Sequence, residues 1–226
     1  MNTILSNYIS SLGNPKHLAS LKTLRFTGSI HLRDTTEDKP TEGKYGRITI
    51  EGKMPHFTGE EDIFQGSTDT MIAATDGSCD FDTSSVSAGY IAISPDSLES
   101  QAMACPLGPL YFAVQEKMPV RLVNSAYPIK RIVLRISFKS TRYVLVHLDA
   151  KTFRELWRDY VEGDYRGIKE TIFVHRHFDG LCLPSEWQIM FDYFPIVVRY
   201  KIEKAELNVP LDQVRFRNTK TSVRDK

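Results

Sequence analysis

The period of apolar and polar positions changes once near the start of the chain and then holds. Ile4, Leu5, Tyr8, Ile9 and Leu12 share one face at helical spacing, which predicts a helix over 3–12. Gly13-Asn14-Pro15 stops it, and Leu18 and Leu21 mark a second short turn or helix. From Leu24 the period is two. Leu24, Phe26, Ile30 and Leu32 alternate with Arg25, Thr27, Ser29 and His31, the pattern of a half-buried strand. "YGRITIEG" reads as the next strand, and "GSTDTMIAATDGSCDFD" as strand, Asp76-Gly77 turn, strand. The acidic run Glu60-Glu61-Asp62 between them reads as a solvated loop.

The best internal helix covers 95–104. Ser94 can cap it, Pro95 suits the first helical position, and Asp96 and Glu99 complement its positive end. "CPLGPLYF" ends it. Beyond it the alternation is most regular. Ile132, Leu134, Ile136 and Phe138 oppose Arg131, Val133, Arg135 and Ser137, and "RYVLVHLD", "FRELWRDYV", "IKETIFVHRHF", "LPSEWQIMF" and "IVVRYKIEKAEL" follow as further strands. No helical pattern separates these strands, which argues against a parallel βαβ sheet. The expectation is a mainly β, all-antiparallel sheet of about eight to eleven strands. With no composition shift along the chain, one domain over 1–217 and a polar tail over 218–226 are expected.

Composition narrows the function classes. Lys and Arg total 29 against 28 Asp and Glu, a net charge of +1, which gives no global field for nucleic acid. The apolar runs are far shorter than the roughly 20 residues a transmembrane helix needs. The first residues lack a basic n-region and long apolar core, so either the protein is cytoplasmic or a leader has been removed ahead of Met1. Cys79, Cys105 and Cys182 form no C-x-x-C pair and are expected as buried thiols. If the compartment is oxidising, Cys79 and Cys105 are the expected disulfide, because Cys182 sits in a hairpin beside its own turn.

The stretch "VHRHFDGLCLPSEW" carries the densest chemistry. His175 and His177 are two apart and would share a strand face, which opens a metal-site reading. The other histidines stand at no recognisable spacing to them, and Asp179-Gly180 is accounted for as a hairpin turn in which both residues accept positive φ. The structural reading is preferred, and no metal or other cofactor is expected. Asp76, Asp80 and Asp82 lack the glycine position and distal Glu of a calcium loop. Nucleophile-elbow, P-loop, dinucleotide and H-E-x-x-H signatures are absent. The strand aromatics, Tyr143, Trp157, Phe173 and Trp187 among them, read either as ordinary core or as the wall of a curved sheet around an apolar cavity.

Four short motifs carry a family resemblance: Leu21, Leu24 and Gly28 entering the first strand; Leu148-Asp149-Ala150-Lys151-Thr152; the turn Asp179, Gly180, Leu183, Pro184; and Asn208, Leu211, Phe216 at the close. In this order, from about Tyr8 to Phe216, the chain resembles the outer-membrane lipoprotein carrier and sorting superfamily. The resemblance implies a half-open antiparallel β-barrel with an N-terminal helix and a mid-chain helix covering an apolar cavity. It further implies a periplasmic, non-enzymatic carrier of acyl chains, with a hydrophobic ligand or a lipoprotein as partner. The expected lining is Ile132, Leu134, Ile136, Phe138, Val144, Val146, Trp187 and Ile189. Two alternatives stand beside this reading: a protein-interaction subunit with a filled core, and a metal-dependent hydrolase using His175 and His177.

Overall fold

A computed structural model describes residues 1–35, 43–54, 57–64, 70–75, 102, 105–123, 131–138, 142–162, 165–192 and 195–211. Helix α1 (Asn2–Leu12) buries Tyr8 and Leu12. Gly13, at φ 146°, turns the chain where a Cβ would press on the Gly180 carbonyl. Asn14 then caps α2 (Pro15–Ser20), its side chain accepting from the Lys16 amide, with Pro15 in the first turn.

The strands are β1 (Thr23–Asp34), β2 (Lys44–Lys53), β3 (Phe57–Phe64), β4 (Thr70–Thr75), β5 (Val120–Val123), β6 (Arg131–Ser137), β7 (Arg142–Asp149), β8 (Glu155–Glu162), β9 (Tyr165–Phe178), β10 (Leu181–Phe191) and β11 (Ile196–Leu207). They form one 11-stranded sheet in the order β4-β3-β2-β1-β11-β10-β9-β8-β7-β6-β5. Among the described residues every pairing is antiparallel and none joins β4 to β5. The architecture is therefore a mainly β, half-open barrel.

Two junctions show why these residues make this sheet. Asp179 and Gly180 have φ of 46° and 81°, so a two-residue turn joins Phe178 to its partner Leu181, as the Asp-Gly pair predicts. Between β1 and β11 the register shifts at Gly28, where a Cβ would collide with the Lys201 carbonyl oxygen. Pro184, which has no amide hydrogen to donate, sits where the β9–β10 register slips.

The core lies on the face of the sheet that receives the helices. Leu24, Ile30, Ile48, Leu134, Ile136, Val144, Val146, Leu148, Leu181, Leu183 and Ile202 form one cluster with Tyr8, Leu12 and the mid-chain residues Ala102, Leu107, Leu110, Phe112 and Ala113.

Three expectations are corrected. Glu60, Glu61 and Asp62 lie in β3, paired with β2 on one side and β4 on the other, not in a loop. "GPLYF" does not end a helix but starts one: α3 (Pro109–Gln115) opens with Gly108 at φ 89° and Pro109 in the first turn. Cys105 and Cys182 are free buried thiols, so the Cys79–Cys105 disulfide is not formed. Of the expected helix over 95–104 only Ala102, helical and buried, is described. Cys79, the Asp76-Gly77 turn, the remaining aspartates of that segment, and the 218–226 tail lie outside the described residues.

Candidate functional site: the helix-covered face of the sheet

Cross-strand register brings the expected lining residues onto one face. Leu134 opposes Val146, Ile136 opposes Val144, and Ile132 opposes Leu148. Trp187 opposes Tyr200, with ring centroids 5.0 Å apart, and Ile189 opposes Val198. Leu134, Ile136, Val144 and Val146 are fully buried, while Ile132, Phe138, Trp187 and Ile189 are half-buried and pack against the same cluster. The two groups sit apart on the sheet, one on β6–β7 and one on β10, with β8 and β9 between them.

Those two intervening strands hold what the sequence reading missed. Register places Arg158 opposite Val146 and Tyr160 opposite Val144, so a cation points into the apolar face. A bulge at His147/Leu148 turns Glu155 the same way. Arg158 Nε donates to Glu155 Oε2 at 2.5 Å, and its Nη1 donates to Glu170 Oε2 at 2.9 Å. The Tyr160 hydroxyl lies 3.3 Å from Glu170 Oε2. From above, the Tyr8 hydroxyl of α1 donates to Glu155 Oε1 at 2.8 Å and lies 3.3 Å from the Leu107 carbonyl. Glycine at 108 leaves room for the guanidinium, since a Cβ there would strike Arg158 Nη2.

Burial opposes the charge on Arg158, but Glu155 and Glu170 more than offset it and its pKa is raised well above the usual value. Burial, reinforced by the Glu155 carboxylate, raises the Tyr8 phenol, which stays a donor. The Cys105 thiol beside the cluster is pushed up to about 12 by burial, the opposite of an activated nucleophile. The cluster thus joins sheet, α1 and the segment leading into α3 through paired charges. Its signal in the sequence was the charge of Arg158 at an inward position of "ELWRDY", one alternation out of step with the apolar set.

The histidine pair contributes little chemistry. His175 opposes Pro184 and His177 opposes Cys182 across the hairpin. His175 is half-buried, and burial with Arg154 and Arg158 lowers it to about 4, whereas His177 is exposed. Among the described residues no three His, Cys, Asp or Glu side chains converge as metal ligands. The aromatics divide. Trp187 and Tyr200 face the helices, but Tyr143, Trp157 and Phe173 face outward, so the reading of all of them as core or cavity wall is corrected.

No protein-family model and no curated protein sequence matches the chain. Solved structures do match over nearly the whole length. A DUF1329 family protein from Desulfovibrio piger superposes with a TM-score of 0.57 at 9% identity, covering 96% of this chain and 97% of that one. A LolA superfamily protein from Nitrosomonas europaea gives 0.56 at 12% identity, covering 96% and 97%. An outer membrane lipoprotein-sorting protein domain from Vibrio parahaemolyticus gives 0.54 at 8% identity, covering 95% and 94%. With the open antiparallel sheet and its helical cover, these likenesses show that the chain shares the fold of these three structures.

Proposed function

We propose that the protein binds a lipid, an acylated protein or a similar amphiphile between its sheet and its helices, and acts as a carrier without bond-making chemistry. The observation that carries this reading is the layering of the site. An apolar floor on β6 and β7 that includes Leu134, Ile136, Val144 and Val146, and a second apolar stretch at Trp187 and Ile189 on β10, lie under helices that the buried polar cluster on β8 and β9 ties to the sheet. An alkyl chain entering there replaces helix–sheet contacts with ligand–sheet contacts of the same kind. Each buried methylene is worth about 0.8 kcal/mol. The chemistry of the cluster fits a structural tie: a guanidinium paired with two carboxylates, and a thiol held protonated. The lipoprotein-sorting neighbours support lipoproteins as cargo and the periplasm as location. Among the described residues no helix is long and apolar enough to cross a membrane.

The test is a fluorescent long-chain fatty-acid probe titrated into the purified protein, with native mass spectrometry for co-purified lipid. Saturable binding that weakens when Val146→Trp fills the floor supports the carrier reading. No probe binding and no bound lipid in a folded protein would refute it and leave the filled-core interaction subunit.

A further inference from the structure

We propose that the outer face of the sheet, turned away from the helices, docks on an anionic lipid surface. The face is cationic by register. Arg131 and Arg135 on β6 alternate with the inward Ile132, Leu134 and Ile136, and Lys169 on β9 and Arg199 and Lys201 on β11 lie on the same side. Arg121 of the edge strand β5 stands directly opposite Arg135. Like charges in that position destabilise a sheet unless an external anion compensates them. The positive field reaches His31 on β1, whose pKa is lowered by burial and then by Arg33 and Arg199.

The carboxylates on this face are engaged or peripheral. Asp159 is 2% exposed and meets His147 Nε2 at 3.1 Å. Glu186 pairs with Arg199. Asp149 is tied into its own turn by the Lys151 and Thr152 amides, and Glu203 lies toward the Gly28 bulge.

Aromatic and apolar groups alternate with these cations. Arg131 and Lys169 lie over the Trp157 ring at 4.6 and 5.8 Å, Arg135 over Tyr143 at 3.8 Å, and Arg199 over Phe173 at 5.2 Å. Phe173 and Met190, on adjacent strands, are 49% and 44% exposed. A phosphate-bearing headgroup meets the cations while Phe173 and Met190 reach the acyl boundary, the division of labour of an interfacial membrane contact. Nucleic acid fits less well, because Met190 has no stacking role and the chain as a whole carries only +1.

The inference does not depend on the cargo reading, since it concerns the opposite face. The experiment is co-sedimentation of the full chain with vesicles of phosphatidylcholine alone and of phosphatidylcholine mixed with phosphatidylglycerol. Binding to the mixed vesicles that falls with added salt, and at least about tenfold in the Lys169→Glu/Lys201→Glu variant, is the expected result. Phe173→Ser/Met190→Ser should weaken it as well, each variant being checked for native circular dichroism. Equal binding to both vesicle types would assign capture to the helix-covered face and overturn the proposal. Absence of binding, indifference to charge reversal, or a preference for oligonucleotides or acidic peptides over vesicles would also overturn it.

Discussion

Removing one oxygen from α1 tests whether the buried cluster ties the helix to the sheet. Tyr8→Phe keeps the ring, which is fully buried, and deletes the hydroxyl that donates to Glu155 at 2.8 Å. A hydrogen bond to a charged acceptor contributes about 1.5–3 kcal/mol. Glu155 keeps its bond from Arg158 Nε, so the lower part of that range applies, about 1.5–2 kcal/mol. Because the lost bond joins two elements, the effect belongs to local opening of α1 rather than to the whole sheet. That energy is about a 10- to 30-fold increase in the open population. Amide hydrogen exchange over residues 3–12 should accelerate by the same factor, with strands β6–β8 unchanged. Arg158→Met provides the contrast. It strands Glu155 and Glu170 in the interior and should cost about 3–5 kcal/mol of global stability. Exchange in α1 that changes less than about twofold in Tyr8→Phe would refute the tie. In the carrier reading, the looser helix also binds an alkyl probe more tightly, because less of the protein is closed against it.

Further outcomes follow from groups already described. His175 is held near 4 against 6.5, so between those values the unfolded chain takes up a proton that the folded one refuses. Stability is therefore full above about pH 6.5, falls as the pH drops toward 4 and levels off below. The loss is on the order of 2 kcal/mol after discounting for partial exposure, and His175→Gln should flatten it in urea titrations across that window. Cys105, buried and pushed up to about 12, should resist a disulfide reagent in the native protein and react once guanidinium unfolds it. Gly28→Val, forcing a side chain into the Lys201 carbonyl, should cost about 1–3 kcal/mol or more in denaturant midpoint.

The antiparallel class was legible because the alternation in residues 131–207 is nearly unbroken, and the Asp179-Gly180 hairpin because turn chemistry is local. That Ile132, Leu134 and Ile136 share one face of the sheet was legible for the same reason, since period two places them together without knowledge of the fold. β3 was not, because Glu60, Glu61 and Asp62 argue for solvent and only pairing on both sides makes the segment a strand. α3 was hidden by Pro106 and Pro109, two residues that read as breakers although one of them occupies a first helical turn. The Tyr8–Glu155–Arg158 cluster spans residues far apart in the chain and depends on a bulge at His147/Leu148, a one-residue slip that no periodicity announces. The outward aromatics failed for a related reason: composition says that a Trp or Phe wants cover, but only register says which side of the sheet it is on.

Among the described strands, the pairing of β1 with β11 places the first and last side by side in the middle of the sheet, while β4 and β5, consecutive in that order, stand at its two outer edges. A nascent chain can zip β5 through β10 from local hairpins, and β1 through β4 likewise, but the two halves have no shared strand until β11 leaves the ribosome. The seam from Leu24–Leu207 to Asp34–Ile196 spans almost the whole chain, so it carries most of the loop-closure entropy and sets the pace of folding. Until it closes, β1 and β10 each present a bare central edge, the state most open to pairing with another chain.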